Sequence, residues 1–194
     1  MDFNDFASLL RSDRSVRRFD SSRPVTRETL SQLVDLTRFC ASGRNAQPLR
    51  YKIVSDPETC STLYGALKWA GYFTWWDGPE PSERPVAYLV QCLDTRYGSD
   101  CLCDDGLQLQ AITLGARTLG IASCIIKAFN RDKVSGTLGL DSRYQPRYVL
   151  ALGYPAEQVV LEEMSGAEDA DFRYYRTADG IHHVPKRPLS ELLL

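Results

Sequence analysis

Apolar positions along this chain change their period several times, and each change marks an element. Phe3, Phe6, Ala7 and Leu10 recur at helical spacing and predict a short amphipathic helix over residues 3–10. Residues 21–24 form a turn, after which Thr26 reads as the cap of a second helix whose Leu30, Leu33, Val34, Thr37 and Ala41 share one face. Glu28 near its start suits the helix dipole. Ser42-Gly43 ends that helix, Pro48 prevents its return, and residues 51–54 alternate like a strand. Asp56 as cap and Pro57 at the first helical position open a third helix carrying Leu63, Ala66, Leu67 and Ala70. Residues 86–93 read as a buried strand, and residues 102–119 as a helix apolar on nearly every side, expected at the centre. Gly120 ends it and residues 122–126 form another buried strand. Asn130 caps a short helix with Val134 and Leu138 before Gly139, and residues 147–152 give a last strand closed by Gly153-Tyr154-Pro155. This mixture, with its crossover spacing, predicts an α/β or α+β domain.

Two stretches depart from the pattern. Trp69, Tyr72, Phe73, Trp75 and Trp76 crowd together ahead of the turn-rich Asp77-Gly78-Pro79-Glu80-Pro81. They read either as a cover over a flat ligand, or as an apolar plug under a long loop or a subunit contact. Residues 157–171 are irregular, as expected of an arm lying over another surface, and the chain closes on Val184-Pro185-Lys186-Arg187-Pro188-Leu189 and a last apolar turn.

Composition narrows the function. With 194 residues, 43% of them hydrophobic and 25% charged, one globular domain is expected. A net charge of −2 argues against a nucleic-acid binder. No basic start precedes an apolar run and no apolar stretch is long enough to span a bilayer, so the expectation is a soluble cytoplasmic protein without membrane contact. The six cysteines are expected as thiols, and Cys101-Leu102-Cys103 is a weak metal signal with no second pair or histidine near it. Adjacent His182 and His183 point to opposite sides of an extended chain and are expected at the surface. There is no glycine-rich dinucleotide fingerprint, phosphate loop, zinc-hydrolase pair or nucleophile elbow. An enzyme built from this sequence therefore draws its reactive atom from a cofactor.

Candidate chemistry gathers in two stretches. Arg14-Ser15-Val16-Arg17-Arg18-Phe19 sets forked cationic donors and a hydroxyl close together, which suits a phosphate, each charge-assisted bond contributing about 1.5–3 kcal/mol where water is excluded. A solvated basic loop is the alternative reading. The second stretch, Ala41-Ser42-Gly43-Arg44-Asn45-Ala46-Gln47-Pro48, combines small residues, two amides and a proline just after a helix.

These stretches, with Leu119-Gly120-Ile121-Ala122-Ser123-Cys124-Ile125-Ile126, Gly153-Tyr154-Pro155 and Lys186-Arg187-Pro188-Leu189 in the same order, resemble the FMN-dependent nitroreductase family over nearly the whole chain. The resemblance implies an α+β, three-layer α/β/α fold with a central mixed, mainly antiparallel sheet around a buried helix. It implies one domain over residues 1–194, with the arm from about residue 157 packing on the partner of a homodimer and FMN at the interface. Arg14, Ser15, Arg17 and Arg187 would hold the phosphate. Ser42, Asn45 and Gln47 would reach the partner's flavin or its ribityl chain, and the backbone amides of Ile126 and Lys127 would lie near flavin N5. NAD(P)H would be the reductant and a nitroaromatic or quinone-like molecule the acceptor, in ping-pong fashion, with no side chain needed as general acid and no metal. Reductive dehalogenation, flavin fragmentation and non-catalytic FMN storage are the other activities this resemblance leaves open. Asp13 departs from the family pattern, which carries a basic residue or histidine there, and is expected to turn outward or to pair with Arg11 or Arg17. Leu49 stands where the family often has tryptophan, and Lys127 where glycine is common.

Overall fold

Alternation along β3 (Ala87–Asp94) decides the architecture, because every residue of that strand is buried. Tyr88, Val90 and Cys92 face one apolar layer, while Ala87 and Leu89 face another, so this strand sits at the centre of a sheet covered on both sides. The computed structural model describes residues 1–165 and 170–194. In it β3 pairs antiparallel with β2 (Leu49–Val54) and with the long β5 (Tyr144–Pro155). The other edge of β5 pairs antiparallel with β4 (Ala122–Ile126) and, at its far end, with β1 (Phe19–Asp20).

One face of the sheet is covered by α3 (Pro57–Tyr64) and α5 (Arg131–Leu138), which bury Cys60, Leu63, Val134 and Leu138. The opposite face is covered by α2 (Arg27–Asp35) and α4 (Asp104–Thr118), through Leu30, Leu33, Leu109, Ile112 and Ala116. The fold is thus a three-layer α+β arrangement, with α1 (Phe3–Ser12) lying along α4. The caps stand where the sequence puts them. Asp56 accepts from Thr59 N at 2.8 Å, Thr26 from Thr29 N at 3.1 Å and Asn130 from Lys133 N at 2.9 Å.

The long helix is less enclosed than its composition suggests. It begins at Asp104, because Leu102 turns the chain with φ +52°, and it buries only one face. Leu102, Leu107 and Leu119 are exposed, as are Phe3 and Phe6 on α1, which buries no residue at all. The second helix also ends early, at Asp35, and a 3-10 turn over Leu36–Phe39 follows, so Ala41 falls outside it. β5 runs well past the predicted 147–152. Its Pro146 is accommodated where the register with β3 shifts between Gln91 and Cys92, and Pro155 lies at its end opposite Phe19.

Gly153 in β5 has no room for a side chain, since a β-carbon there would lie 3.0–3.2 Å from three atoms of the fully buried Phe19. Gly153→Ala is expected to destabilise the protein by about 1–3 kcal/mol through overpacking, as a lowered urea midpoint at unchanged slope.

The arm is more regular than the sequence suggests. β6 (Val159–Glu163), β7 (Tyr175–Arg176) and β8 (His182–Lys186) make a second, three-stranded sheet with β8 in the middle, parallel to β6 and antiparallel to β7. Part of the stretch read as irregular, residues 166–169, lies outside the described residues.

Candidate functional site

The arginine stretch is held against the edge of the main sheet by its own backbone. Val16 N donates to the Ser123 carbonyl at 2.9 Å, and Ser15 forms a parallel bridge with Ser123 of β4. Val16 is buried, so alternation turns Ser15 outward and leaves Arg17 half-buried. There Arg17 lines a cavity of about 240 Å³, together with Lys68, Trp69, Ile126, Lys127 and Tyr174. The structure thus brings three of the sequence-predicted residues, Arg17, Ile126 and Lys127, to one cup. Its walls are tied together by Lys68 N donating to Ala128 O and Asn130 N to Ala66 O, both at 2.9 Å. Ala70, in the same wall, has φ +38°, a conformation that an alanine holds only under constraint.

Arg14 points elsewhere. Its Nη2 donates to the Leu10 carbonyl at 2.8 Å, and its buried Nε has no partner among the described residues. Asp13 neither turns outward nor pairs with Arg11 or Arg17. It lies on α4, accepting from Thr113 Oγ1 at 2.6 Å and Gln110 Nε2 at 2.8 Å, so its charge is held by neutral donors.

The arm closes over Arg17. Glu157 accepts from the Arg17 backbone N with one carboxylate oxygen and from Arg176 Nη2 at 2.8 Å with the other. The Arg176 and Glu157 side chains are 4% and 1% exposed, and the Arg176 guanidinium lies over the rings of Phe73, at 5.2 Å, and Trp76, at 4.8 Å. Arg17 itself lies over the Tyr174 ring at 4.7 Å. Within the aromatic segment, Phe73 is buried under the arm against Tyr174 and His182, Trp69 is buried beside Tyr64 in the wall of the cavity, and Tyr72 and Trp75 stand exposed.

His182 overturns the expectation of a surface residue. It is 1% exposed, because β8 is the central strand of the arm and turns this side chain inward against Phe73 and Tyr174. Arg17 Nη1 lies 3.1 Å from His182 Nε2, and since arginine only donates, Nε2 accepts and the proton sits on Nδ1. Burial, followed by the charges of Arg17 and Arg176, pushes the imidazole down to about 4. The unfolded chain takes up this proton first, so the stabilisation is complete above about pH 6.5 and is lost as pH falls through about 4. The expected loss is on the order of 2–3 kcal/mol, measured by urea unfolding across that window and abolished in His182→Gln. His183 faces the other way, stacked on Tyr175 at 4.7 Å with Nδ1 2.6 Å from Glu162.

A second group assembles around the N-terminus of α4. Ser42 Oγ donates to Asp104 Oδ2 at 2.6 Å and accepts from Gln47 N at 2.9 Å, while Gly43 N donates to Asp104 Oδ1 at 2.9 Å. Gln47 Nε2 donates to Asn45 Oδ1 at 3.0 Å. Arg44, Asn45 and Gln47 all have positive φ, at 53°, 54° and 47°, so the loop is shaped against local preference and anchored on buried Asp104. It borders a cavity of about 250 Å³ shared with residues 97–102.

Within one chain these groups stay apart. The 42–47 loop leads into the edge strand β2, whereas Ile126 ends β4, with β3 and β5 between them. Arg187 lies in neither group. It is half exposed, and its Nη1 bonds Glu191 at 2.6 Å. Sequence reasoning passed over Lys68, Asp104, Glu157, Tyr174, Arg176 and His182, which position the predicted residues through long-range contacts and leave no local signal. All six cysteines are free, and among the described residues no cluster of metal-ligating side chains occurs.

Known proteins share this fold. The sequence profile of the nitroreductase family matches residues 10–76 and 103–154. A relative from Bacillus subtilis (strain 168), "Putative NAD(P)H nitroreductase YdgI", is 23% identical across 80% of this chain and 90% of its own length. Among solved structures, a nitroreductase family protein from Streptococcus pneumoniae TIGR4 superposes with a TM-score of 0.71 at 16% identity, covering 97% of this chain and 98% of that one. An FMN-dependent nitroreductase from Clostridium difficile R20291 gives 0.66 at 20% identity, over 78% and 88% of the two chains. The profile covers more than half of the sequence, and the three-layer fold is the one these structures have: the chain belongs to the nitroreductase family.

Proposed function

We propose that this protein is an FMN-dependent oxidoreductase that takes hydride from NAD(P)H and delivers it to a nitroaromatic or quinone-like acceptor, working as a cytoplasmic homodimer. One observation carries the reading: Arg17, Lys68 and the Ile126–Lys127 backbone converge on a single cavity open to solvent. The donor set fits an FMN. Arg17, Lys68 and Lys127 have no carboxylate within ion-pair distance among the described residues. Three cations without counter-charge around one cup favour an anionic ligand. Bound FMN would supply the hydride-accepting and hydride-donating atom, N5.

The chain's own residues have the remaining tasks. Arg17 and Ser15, with Arg14 swung from its helix carbonyl, would hold the phosphate. The amides of Ile126 and Lys127 would orient the ring edge, and Lys68 and Lys127 would favour its anionic reduced state. The solvent-open mouth leaves space for reductant and acceptor in turn, which favours catalysis over storage.

A homodimer accounts for what one chain leaves unused. Ser42, Asn45, Gln47 and Arg187 lie outside the Arg17 cup, and a second copy would bring them to it. Phe3, Phe6, Leu107 and Leu119 form exposed apolar surface on the α1 and α4 side, and Leu189, Leu192, Leu193 and Leu194 end the arm exposed. The arm from about residue 157 would rest on that partner. Among the described residues no helix is long and apolar enough to cross a membrane.

Steady-state rates with both substrates varied test the scheme. Alternate use of one open face gives parallel double-reciprocal lines, and intersecting lines would exclude it.

A further inference from the structure

The Arg17 guanidinium meets the cavity on one side and the arm on the other. The ring of Tyr174, over which it lies at 4.7 Å, lines the same cavity. From the arm, His182 Nε2 accepts a hydrogen bond from Arg17 Nη1 at 3.1 Å. No other acceptor meets the Arg17 side chain among the described residues, so this bond and the Tyr174 face decide which way the fork points.

Histidine is an unfavourable residue for packing alone at this position. The side chain is 1% exposed and its ring lies 5.7 Å from that of Phe73 and 5.2 Å from that of Tyr174, a setting that a leucine would fill without polar atoms. Its buried Nδ1 has no partner among the described residues, and a buried N–H without an acceptor opposes folding. The one polar contact of the ring there is the bond from Arg17. Nor is the ring needed to dock its strand, because His182 N donates to the Gln158 carbonyl at 2.9 Å and β8 is paired on both edges. The acceptor is also neutral. A carboxylate in its place would pair with Arg17 as Glu157 pairs with Arg176, and would cancel the charge that an anionic ligand needs. An imidazole lone pair aligns the guanidinium and leaves its charge uncompensated.

We propose that His182 is a positioning residue of the anion site: through Nε2 it holds the Arg17 fork toward the cavity. The arm thereby completes the FMN site through a residue that is not itself part of the cavity wall. This role rests on the assignment of the cavity to FMN.

FMN fluorescence titration and thermal unfolding of His182→Leu, His182→Gln, Arg17→Ala and Arg17→Ala/His182→Leu test the role. Leucine offers no acceptor, whereas the glutamine Oε1 reaches the place of Nε2. His182→Leu is expected to weaken FMN binding by about tenfold and His182→Gln by no more than about threefold. The Tm of His182→Leu should equal or exceed that of the parent, and His182→Met is a second apolar variant should leucine fail to fold. In the Arg17→Ala background His182→Leu should change nothing further, because the histidine acts only through that guanidinium. The side-chain NMR spectrum of Arg17 without ligand should show slow rotation about Nε–Cζ in the parent and His182→Gln, and fast rotation in His182→Leu. A parent that binds no FMN would remove the flavin reading, and this spectrum would still decide the positioning role. Undiminished affinity in the apolar variants, an equal loss in His182→Gln, the same loss on top of Arg17→Ala, or fast rotation in the parent would each overturn the assignment.

Discussion

Arg17→Ala is expected to weaken FMN binding by about ten- to a hundredfold, the equivalent of one charge-assisted hydrogen bond to phosphate at roughly 1.5–3 kcal/mol. The side chain lies between the proposed cofactor cup and the arm, so its removal reaches both. On the cup side an unpaired cation is lost from beside Ile126 and Lys127. On the arm side the acceptor Nε2 of His182 is left without its donor. The backbone bond from Arg17 N to Glu157 survives the substitution, so the arm should stay docked and the loss of stability remain near 1 kcal/mol, as for a single hydrogen bond. Flavin-fluorescence titration against FMN, with a parallel denaturation curve, separates the two effects. Arg17→Lys should restore part of the affinity, because it keeps the charge and loses the fork.

The largest expected loss of stability falls on Glu157. Glu157→Ala removes the carboxylate paired with a nearly fully buried Arg176, whose Nε and Nη1 already lack acceptors among the described residues. An uncompensated buried charge costs about 3–5 kcal/mol, and here the Arg17 N–H also loses its acceptor. Urea unfolding is expected to show that loss. The double variant Glu157→Ala/Arg176→Met should recover most of it, because the buried charge is removed along with its partner. A loss equal to the sum of the two single variants would contradict the account of the pair.

Local signals in the sequence carried the main fold a long way. Thr26, Asp56 and Asn130 are capping residues whose chemistry acts within three positions, and each caps the helix it announces. The run at residues 86–93, apolar but for Gln91, announced a buried strand, and that strand is covered on both faces. Signals that depend on distant residues did not carry over. Leu102, Leu107 and Leu119 made α4 look apolar all round, because composition cannot tell a face that meets the sheet from one that meets solvent or another copy. Pro146 and Pro155 hid the length of β5, since only the facing strand reveals that a register shift and a strand end accommodate them. His182 looked like a surface residue, and Glu157 fell in a stretch read only as an irregular arm, because their burial rests on a second sheet built from sequence-distant strands. The arginine stretch, by contrast, was legible as a cluster of cationic donors, of which Arg17 alone reaches the cavity while Arg14 rests on Leu10 and Arg187 lies apart within a single chain.

The absorption spectrum of the purified protein, followed by anaerobic addition of NADH and then NADPH, tests the central claim most directly. The account predicts a flavin spectrum, native or after FMN is supplied, that bleaches with one of the two reductants. A colourless protein that takes up no added FMN would contradict it, and the three unpaired cations around the Arg17 cup would then serve a different anion.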